Sequence, residues 1–248
     1  MYKLLFLFLT FKHTIPTIPT KYYYNSRIHN FGNIGLGGRI HSLLAPYATT
    51  MIDNKCYNSV NIRQLILSKY NQEFYKNHEK LPKIIDLCCG TGTSTYTNQL
   101  GIDTSEAMIS EAIRSEAITS KAKINININT NTKFIIGNAE NYGQPQEFDT
   151  ATLMFAFHEM PNYAHHKIIK NAKKITRHDI IIVDINPTYS PSKLMLSGEP
   201  YLLNYKNTIH NILEKHKFTY LEYIPKHVGL WYYSHNQDPK INLTQLFK

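Results

Sequence analysis

The stretch "IIDLCCGTGTSTYTNQLGIDTSEAM", residues 84–108, constrains this chain more than any other. An apolar run ends at Asp86, a turn carrying Gly90 and Gly92 follows, and a second acid, Asp103, closes a short second run. Such a run, bounded by a glycine turn, reads as a parallel strand whose carboxyl end opens toward a ligand. Two familiar ligand turns are excluded by single residues. A phosphate-cradling P-loop needs a Lys after its last glycine, and Thr93 follows Gly92. A dinucleotide fingerprint needs a third glycine, and Thr95 stands in its place.

A ligand without phosphate fits the pattern better. S-adenosylmethionine (SAM) needs a small-residue turn that lets backbone close on its methionine part. It also needs an acid at the end of the next strand for the ribose hydroxyls. "DLCCGTGTS" followed by "GIDTS" meets both demands, and at these residues the chain resembles the class I SAM-dependent methyltransferases, in particular the type 11 or ubiquinone/menaquinone-type domain. The resemblance runs over about residues 80–235. It implies SAM as cofactor and an α/β fold: a doubly wound, mainly parallel, Rossmann-like sheet of seven strands with an antiparallel C-terminal hairpin.

The rest of the chain supports that architecture by its own periodicity. "KIIDLC", "LGID", "KFIIGN", "DTATLMFAF" and "DIIIVDIN" read as five strands, three of them continuous apolar runs of the kind covered by helices on both faces. "SEAMISEAIRSEAITSKA" reads as a helix opened by Ser105 as N-cap. "YAHHKIIKNAKKIT" and "EPYLLNYKNTIHNILEKH" read as two more helices, and "KFTYLEYI" with "GLWYYSH" as the closing antiparallel pair. A short helix is expected over "STYTNQ", truncated because Asp86 and Asp103 are close in sequence. "INININTNTK" reads as a polar linker, since Asn is a poor strand former.

Three regions are expected. Residues 1–30 form a disordered or targeting lead, 31–82 a Gly-rich and then helical extension closed by Pro82, and 83–248 the SAM-binding domain. The opening "MYKLLFLFLTF" is too short to span a bilayer, which takes about 20 residues, and no later stretch qualifies. The default compartment is cytoplasmic, with organellar or secretory targeting by the lead as the alternative. The net charge of +9 is uneven. Residues 1–83 hold 11 Lys or Arg against 3 Asp or Glu, and 84–248 hold 16 against 15, so the basic surplus lies outside the domain. That argues against a nucleic-acid enzyme, whose basic footprint would surround its site. Cys56, Cys88 and Cys89 have neither disulfide-framework nor zinc spacing, and no metal is expected.

The strand ends supply the candidate site. By the resemblance, Gly90, Gly92 and Cys88 belong to the methionine-binding turn and Asp86 orients it. Asp103 takes the ribose hydroxyls, Asn138 and Ala139 meet the adenine, and Phe155 and Ala156 offer backbone to the methionine amine. His158 and Glu159 fall where the family places groups facing the methyl and its acceptor. Their plainer readings are a structural histidine and a helix-start acid. "HEMPN" is not a zinc H-E-x-x-H motif, because Asn162 replaces the second His and Pro161 would break the helix. "NPTY" at 186–189 follows strand five and reads as a strand-ending turn. "FGNIGLGGRIH", "FAFHEMP", "VDINPTYSPS", "SGEPYLLNY" and "HVGLW" are similar to a set of algal-type methyltransferases, which share a Gly-rich N-terminal segment and a "GEPY" helix. Tyr189, Tyr201, Tyr205, Tyr232 and Tyr233 could line an acceptor pocket, though each singly is as well explained by ordinary packing.

The expectation is therefore methyl transfer to an O, N or C nucleophile of a small or lipophilic acceptor. Two alternatives stand beside it: an RNA or protein methyltransferase that uses the basic N-terminal third, and a SAM-fold binding module without catalysis.

Overall fold

Strands in this chain form where apolar runs can be covered on both faces. The computed structural model describes residues 21–96, 99–124, 132–236 and 243–247. Seven strands make one sheet: β1 (Ile84–Leu87), β2 (Leu100–Asp103), β3 (Lys133–Ile136), β4 (Phe148–Met154), β5 (Thr176–Ile185), β6 (Thr219–Ile224) and β7 (Val228–Ser234), in the order β3-β2-β1-β4-β5-β7-β6. β1 pairs in parallel with β2 and β4, while β7 runs antiparallel to both β5 and β6. This is the doubly wound, Rossmann-like sheet with a closing hairpin. Its order reverses between β1 and β4, and the crevice beyond those two strand ends is where ligands bind in open sheets.

The side-chain period of two sends alternate β5 residues to opposite layers. Ile180 and Ile182 pack with α4 (Asn162–Ile175) and α6 (Leu202–Lys215), through Ile168, Ile169, Tyr205 and Leu213. Ile181 and Val183 pack with α2 (Ile62–His78) and α7 (Leu243–Phe247), through Ile66, Leu67, Phe74 and Phe247. Each of these fully buried aliphatic side chains contributes about 1.5–3 kcal/mol. Tyr70 of α2 is stitched to the sheet by polar bonds as well. Its hydroxyl donates to Asp179 Oδ2 at 2.6 Å, Tyr232 of β7 donates to Asp179 Oδ1 at 2.7 Å, and Thr150 of β4 lies 2.6 Å from the Tyr70 oxygen.

Two N-terminal features differ from the sequence reading. Residues 1–20 of the expected lead lie outside the described residues, but 21–30 form two single-turn 3-10 segments, Tyr22–Tyr24 and Ile28–Asn30, set against the domain. Asn25 donates to Tyr201 Oη at 3.2 Å, and Ile28 is buried. The Gly-rich stretch is not loop. Helix α1 begins at Gly35 and runs to Cys56, through Pro46. Glycine serves helix packing here, since a Cβ on Gly38 would lie 2.6 Å from the Asn33 carbonyl carbon.

The remaining helices are α3 (Glu106–Ile124) and α5 (Lys193–Gly198). Ser105 caps α3 as expected, its Oγ accepting the Met108 N–H at 3.3 Å. Between β1 and β2 the described residues carry no helix. The hydroxyls of Ser94 and Thr95, expected inside one, turn back to Asp86 instead. The expected Asn-rich linker falls mostly outside the described residues. Among the described residues, no helix is long and apolar enough to cross a membrane.

Candidate functional site

The turn after β1 is held from behind by its first acid. Asp86 is fully buried and accepts from Ser94 Oγ at 2.8 Å, Thr95 Oγ1 at 2.7 Å and Thr152 Oγ1 at 3.0 Å. Burial pushes its carboxyl up, and the three hydroxyls pull against that. The turn passes through left-handed conformations at Cys88 (φ 61°), Gly90 (φ 53°) and Gly92 (φ 79°). The two glycines then diverge. A Cβ on Gly90 would meet nothing within 4 Å, so its backbone presents an open face to the cavity. A Cβ on Gly92 would strike the Phe134 ring at 2.7 Å. Gly92 therefore packs against Phe134 of β3, and Asp86 holds the turn through Ser94 and Thr95. Cys88 lines the cavity, and burial pushes its thiol well up, so it is an uncharged wall group.

Asp103 ends β2 and also faces the cavity. Its Oδ2 accepts the Gly90 N–H at 3.0 Å and its Oδ1 the Ser105 N–H at 2.8 Å. A carboxylate in this place is the kind of acceptor a ribose diol needs. Burial raises this carboxyl to about 6, against the pull of the backbone N–H groups of Ser105, Gly90 and Thr104. Asn138 and Ala139, beyond β3, line the same cavity. The Asn138 side-chain oxygen accepts the Glu140 N–H at 2.9 Å, and Ala139 is anchored through its carbonyl by Asn171 at 3.0 Å. Residues that fit SAM thus stand on three adjoining strand ends, around the open face of Gly90.

β4 ends in a strained corner. Phe155 is left-handed (φ 56°), a conformation that costs a non-glycine residue about 1–3 kcal/mol. It is held by its N–H to the Val183 carbonyl at 2.7 Å and by the Arg63 guanidinium 4.4 Å above its ring. Arg63 in turn pairs with Asp53 at 3.0 Å. Ala156 and the 3-10 turn Phe157–Glu159 follow. Asp184 of β5 receives that turn, accepting the N–H groups of Phe157 (2.8 Å) and His158 (3.3 Å) and lying 2.6 Å from His158 Nδ1. His165 of α4 lies 2.8 Å from the Phe157 carbonyl, and burial lowers its pKa to about 4, so its neutral ring donates there through Nε2. His158 lines the cavity. Burial alone would depress its pKa, but Asp184 outweighs this and lifts it to about 10, so the ring is an imidazolium at neutral pH.

Glu159 leads to residues that sequence reasoning missed. Its Oε1 lies 2.8 Å from His29 Nε2, and the other nitrogen of His29 lies 3.0 Å from Glu199 Oε1. Burial pushes the Glu159 carboxyl up, but the charges of His29 and His158 together hold it at about 2. Burial likewise opposes charge on His29, and its two carboxylates raise it to about 9. His41 of α1 stacks beside His29 with ring centroids 4.4 Å apart and is kept neutral by burial and by that neighbour. Asn33 fastens this segment to the cofactor side, its carbonyl accepting from Ser105 Oγ at 3.0 Å. Asn33, His41 and Glu199 fall within "FGNIGLGGRIH" and "SGEPYLLNY", so the Gly-rich and "GEPY" segments were the available signal. His29 falls within the expected lead.

All of this surrounds one cavity of about 750 Å³, inside the usual range of about 300–1,000 Å³ for small-molecule sites. Part of its wall is apolar, from Leu44, Ala48 and Ile52 of α1 and Leu194 and Met195 of α5. Of the five tyrosines considered from sequence only Tyr189 is on the wall, whereas Tyr205, Tyr232 and Tyr233 are packed in the interior. Asn186 of "NPTY" is a turn residue: its side-chain oxygen accepts from the Thr188 N–H and hydroxyl, each at 2.9 Å. Among the described residues, no group of three or more His, Cys, Asp or Glu could hold a metal ion.

The mainly parallel sheet places a glycine turn after β1 and an acid at the end of β2, joined by the Gly90–Asp103 hydrogen bond. Residues 84–179 match the family model described as "Methyltransferase domain". No curated protein matches the chain by sequence. Among solved structures, the fold is similar to the magnesium protoporphyrin IX methyltransferase of Synechocystis PCC 6803 with bound SAH, at TM-score 0.50 and 14% identity, covering 79% of this chain and 97% of that one. It is also similar to the plantazolicin methyltransferase BamL in complex with a triazolic desmethylPZN analog and SAH, at TM-score 0.49 and 15% identity over 80% and 96%.

Proposed function

We propose that this chain transfers the methyl group of SAM to a small or lipophilic acceptor held in the cavity between the sheet ends and helix α1. The observation that carries the reading is the Gly90–Asp103 pair: an open glycine face and a buried carboxylate line the same cavity as apolar side chains of α1 and α5. When bound, SAM supplies an electrophilic methyl on a sulfonium. The residues' task is mainly alignment, and positioning supplies much of the acceleration in such transfers. On this reading Asp103 holds the ribose, Asn138 and Ala139 the adenine edge, and Cys88, Gly90, Phe155 and Ala156 the methionine part. His158, as an imidazolium pinned by Asp184, orients the site and is not its base. The neutral balance of the domain outside the basic N-terminal third, together with the apolar wall, favours a small acceptor over a nucleic acid.

Calorimetric titration with SAH tests the cofactor half. Asp103→Ala should weaken binding by about 1–3 kcal/mol, the scale of losing a charged hydrogen-bonding partner, while circular dichroism stays unchanged. Equal affinity in the variant would remove Asp103 from the site.

A further inference from the structure

On that reading the acceptor half still lacks a group to take a proton, and the geometry points to Glu199. We propose that the Glu199 carboxylate accepts the proton of the methyl acceptor, with His29 as the positioning residue that holds Glu199 at the wall. The acceptor is then a neutral protic group, a hydroxyl or an N–H, and not a carboxylate.

Four observations carry this. Glu199 lines the cavity and is only 6% exposed, so its contacts are fixed by the fold. Its two oxygens are unequal: Oε1 lies 3.0 Å from His29 Nδ1, while Oε2 is buried with no hydrogen-bond partner. An unpaired buried carboxylate oxygen costs the desolvation of that group, which favours the carboxyl that has taken up a proton. Glu199 is also brought there by a close backbone approach. Gly198 sits so near the His29 turn that a Cβ would lie 2.9 Å from Asn30 Nδ2 and 3.2 Å from His29 Cα. On the other side of that contact, His29 and Asn30 are both left-handed, with φ of 49° and 63°. Two irregular segments therefore meet to set a carboxylate and an imidazole face to face.

The surrounding charges suit the role. Glu199 faces His29 from the N-terminal turn, His158 and Glu159 from the turn after β4, and Asp184 from β5. Burial raises its carboxyl, the two imidazoliums lower it, and Glu159 and Asp184 raise it again, leaving it at about 7. A base is most effective when its pKa lies near the working pH. Glu159, at about 2, is too weak a base, and His158, at about 10, already carries its proton. Glu159 instead contributes a fixed negative charge to the same wall, which disfavours an anionic acceptor. In the step, the acceptor's O–H or N–H bond breaks and the proton goes to the Glu199 carboxylate. The electron pair left behind forms the bond to the methyl carbon, and the pair of the methyl–sulfur bond stays on sulfur, ending its positive charge.

The test is a carboxyl titration followed by side-chain NMR, on full-length protein labelled at the Glu side-chain carboxyl carbons and loaded with SAH. One Glu should titrate near neutrality in the wild type and be missing in Glu199→Gln. In His29→Gln it should titrate at higher pH, because a neighbouring cation has been removed. Phenol, the simplest neutral protic probe for an apolar cavity, should shift that resonance, and benzoate should not. The proposal fails if every Glu titrates in the ordinary acidic range, if the neutral titration persists in Glu199→Gln, or if saturating phenol leaves the resonance unmoved. Should Glu199→Gln not fold, His29→Gln decides the matter alone. SAH binding by calorimetry is the separate arm: a wild-type chain that does not bind SAH defeats the methyltransferase reading, whatever the titration gives.

Discussion

Asp184→Asn is the sharpest test of how the β4 corner is built. The wild-type carboxylate is 1% exposed and takes the backbone N–H groups of Phe157, His158 and Ile185 besides facing His158 Nδ1 at 2.6 Å. An amide of the same shape loses the charge and turns an NH₂ toward donors that need an acceptor. Breaking a buried ion pair by removing one partner costs about 3–5 kcal/mol. Linkage points the same way: Asp184, helped by Glu199 and Glu159, raises the imidazole to about 10 against the burial that would lower it. In a chain of this size the loss should lower Tm by roughly 6–20 °C. The sign in pH follows from the raised pKa. The stabilisation is fully present below pH 6.5 and is lost as pH rises through about 10. Thermal unfolding followed by circular dichroism should therefore show the wild-type advantage over Asp184→Asn shrinking from neutral toward alkaline pH. A variant that melts within a degree or two of the wild type at neutral pH, or a gap independent of pH, would refute the buried imidazolium pair.

Two further outcomes can be checked directly. Gly198→Ala should push α5 away from the His29 turn, because the new methyl meets backbone and amide at 2.9–3.2 Å. It should cost about 1–3 kcal/mol in urea unfolding, the usual cost of overpacking, while SAH affinity is kept. Deleting residues 21–34 removes Ile28, His29 and the Asn33 anchor on Ser105 together, so the truncated chain should melt several degrees lower than one deleted only through residue 20, measured by differential scanning calorimetry.

The parts legible in the sequence were those with local causes. Ile180–Val183 and Phe148–Met154 are apolar runs that two covered faces require, and Ser105 caps a helix through a bond three residues away. The place of Asp103 at a strand end on the cavity wall could be read because ligand crevices in parallel sheets open beyond the strand ends. What escaped depends on contacts distant in sequence. No local pattern tells that His29 will meet Glu159, 130 residues on, or that the glycines before His41 belong to a helix. Gly92 shows the same dependence on distant contacts. Its positive φ is written in the turn, but the direction its α-carbon faces is decided by Phe134 in another strand. At Ser94 and Thr95, where a helix was expected to start, side-chain bonding to Asp86 prevails instead.

The Tyr70 contact with Asp179 has a consequence for how the molecule is made. Helix α2 leaves the ribosome early, yet its phenol is separated from Asp179 by 109 residues, and Asp179 from Tyr232 by a further 53. During synthesis the apolar face of α2 has no sheet to rest on until β5 has emerged, and the Tyr–Asp–Tyr clamp closes only after the C-terminal hairpin. Synthesis at about 5–20 residues per second leaves that face waiting for several seconds, open to aggregation or to capture by a chaperone. A nascent chain stalled before β7 should therefore be cleaved by protease within α2, and one stalled well beyond it should resist.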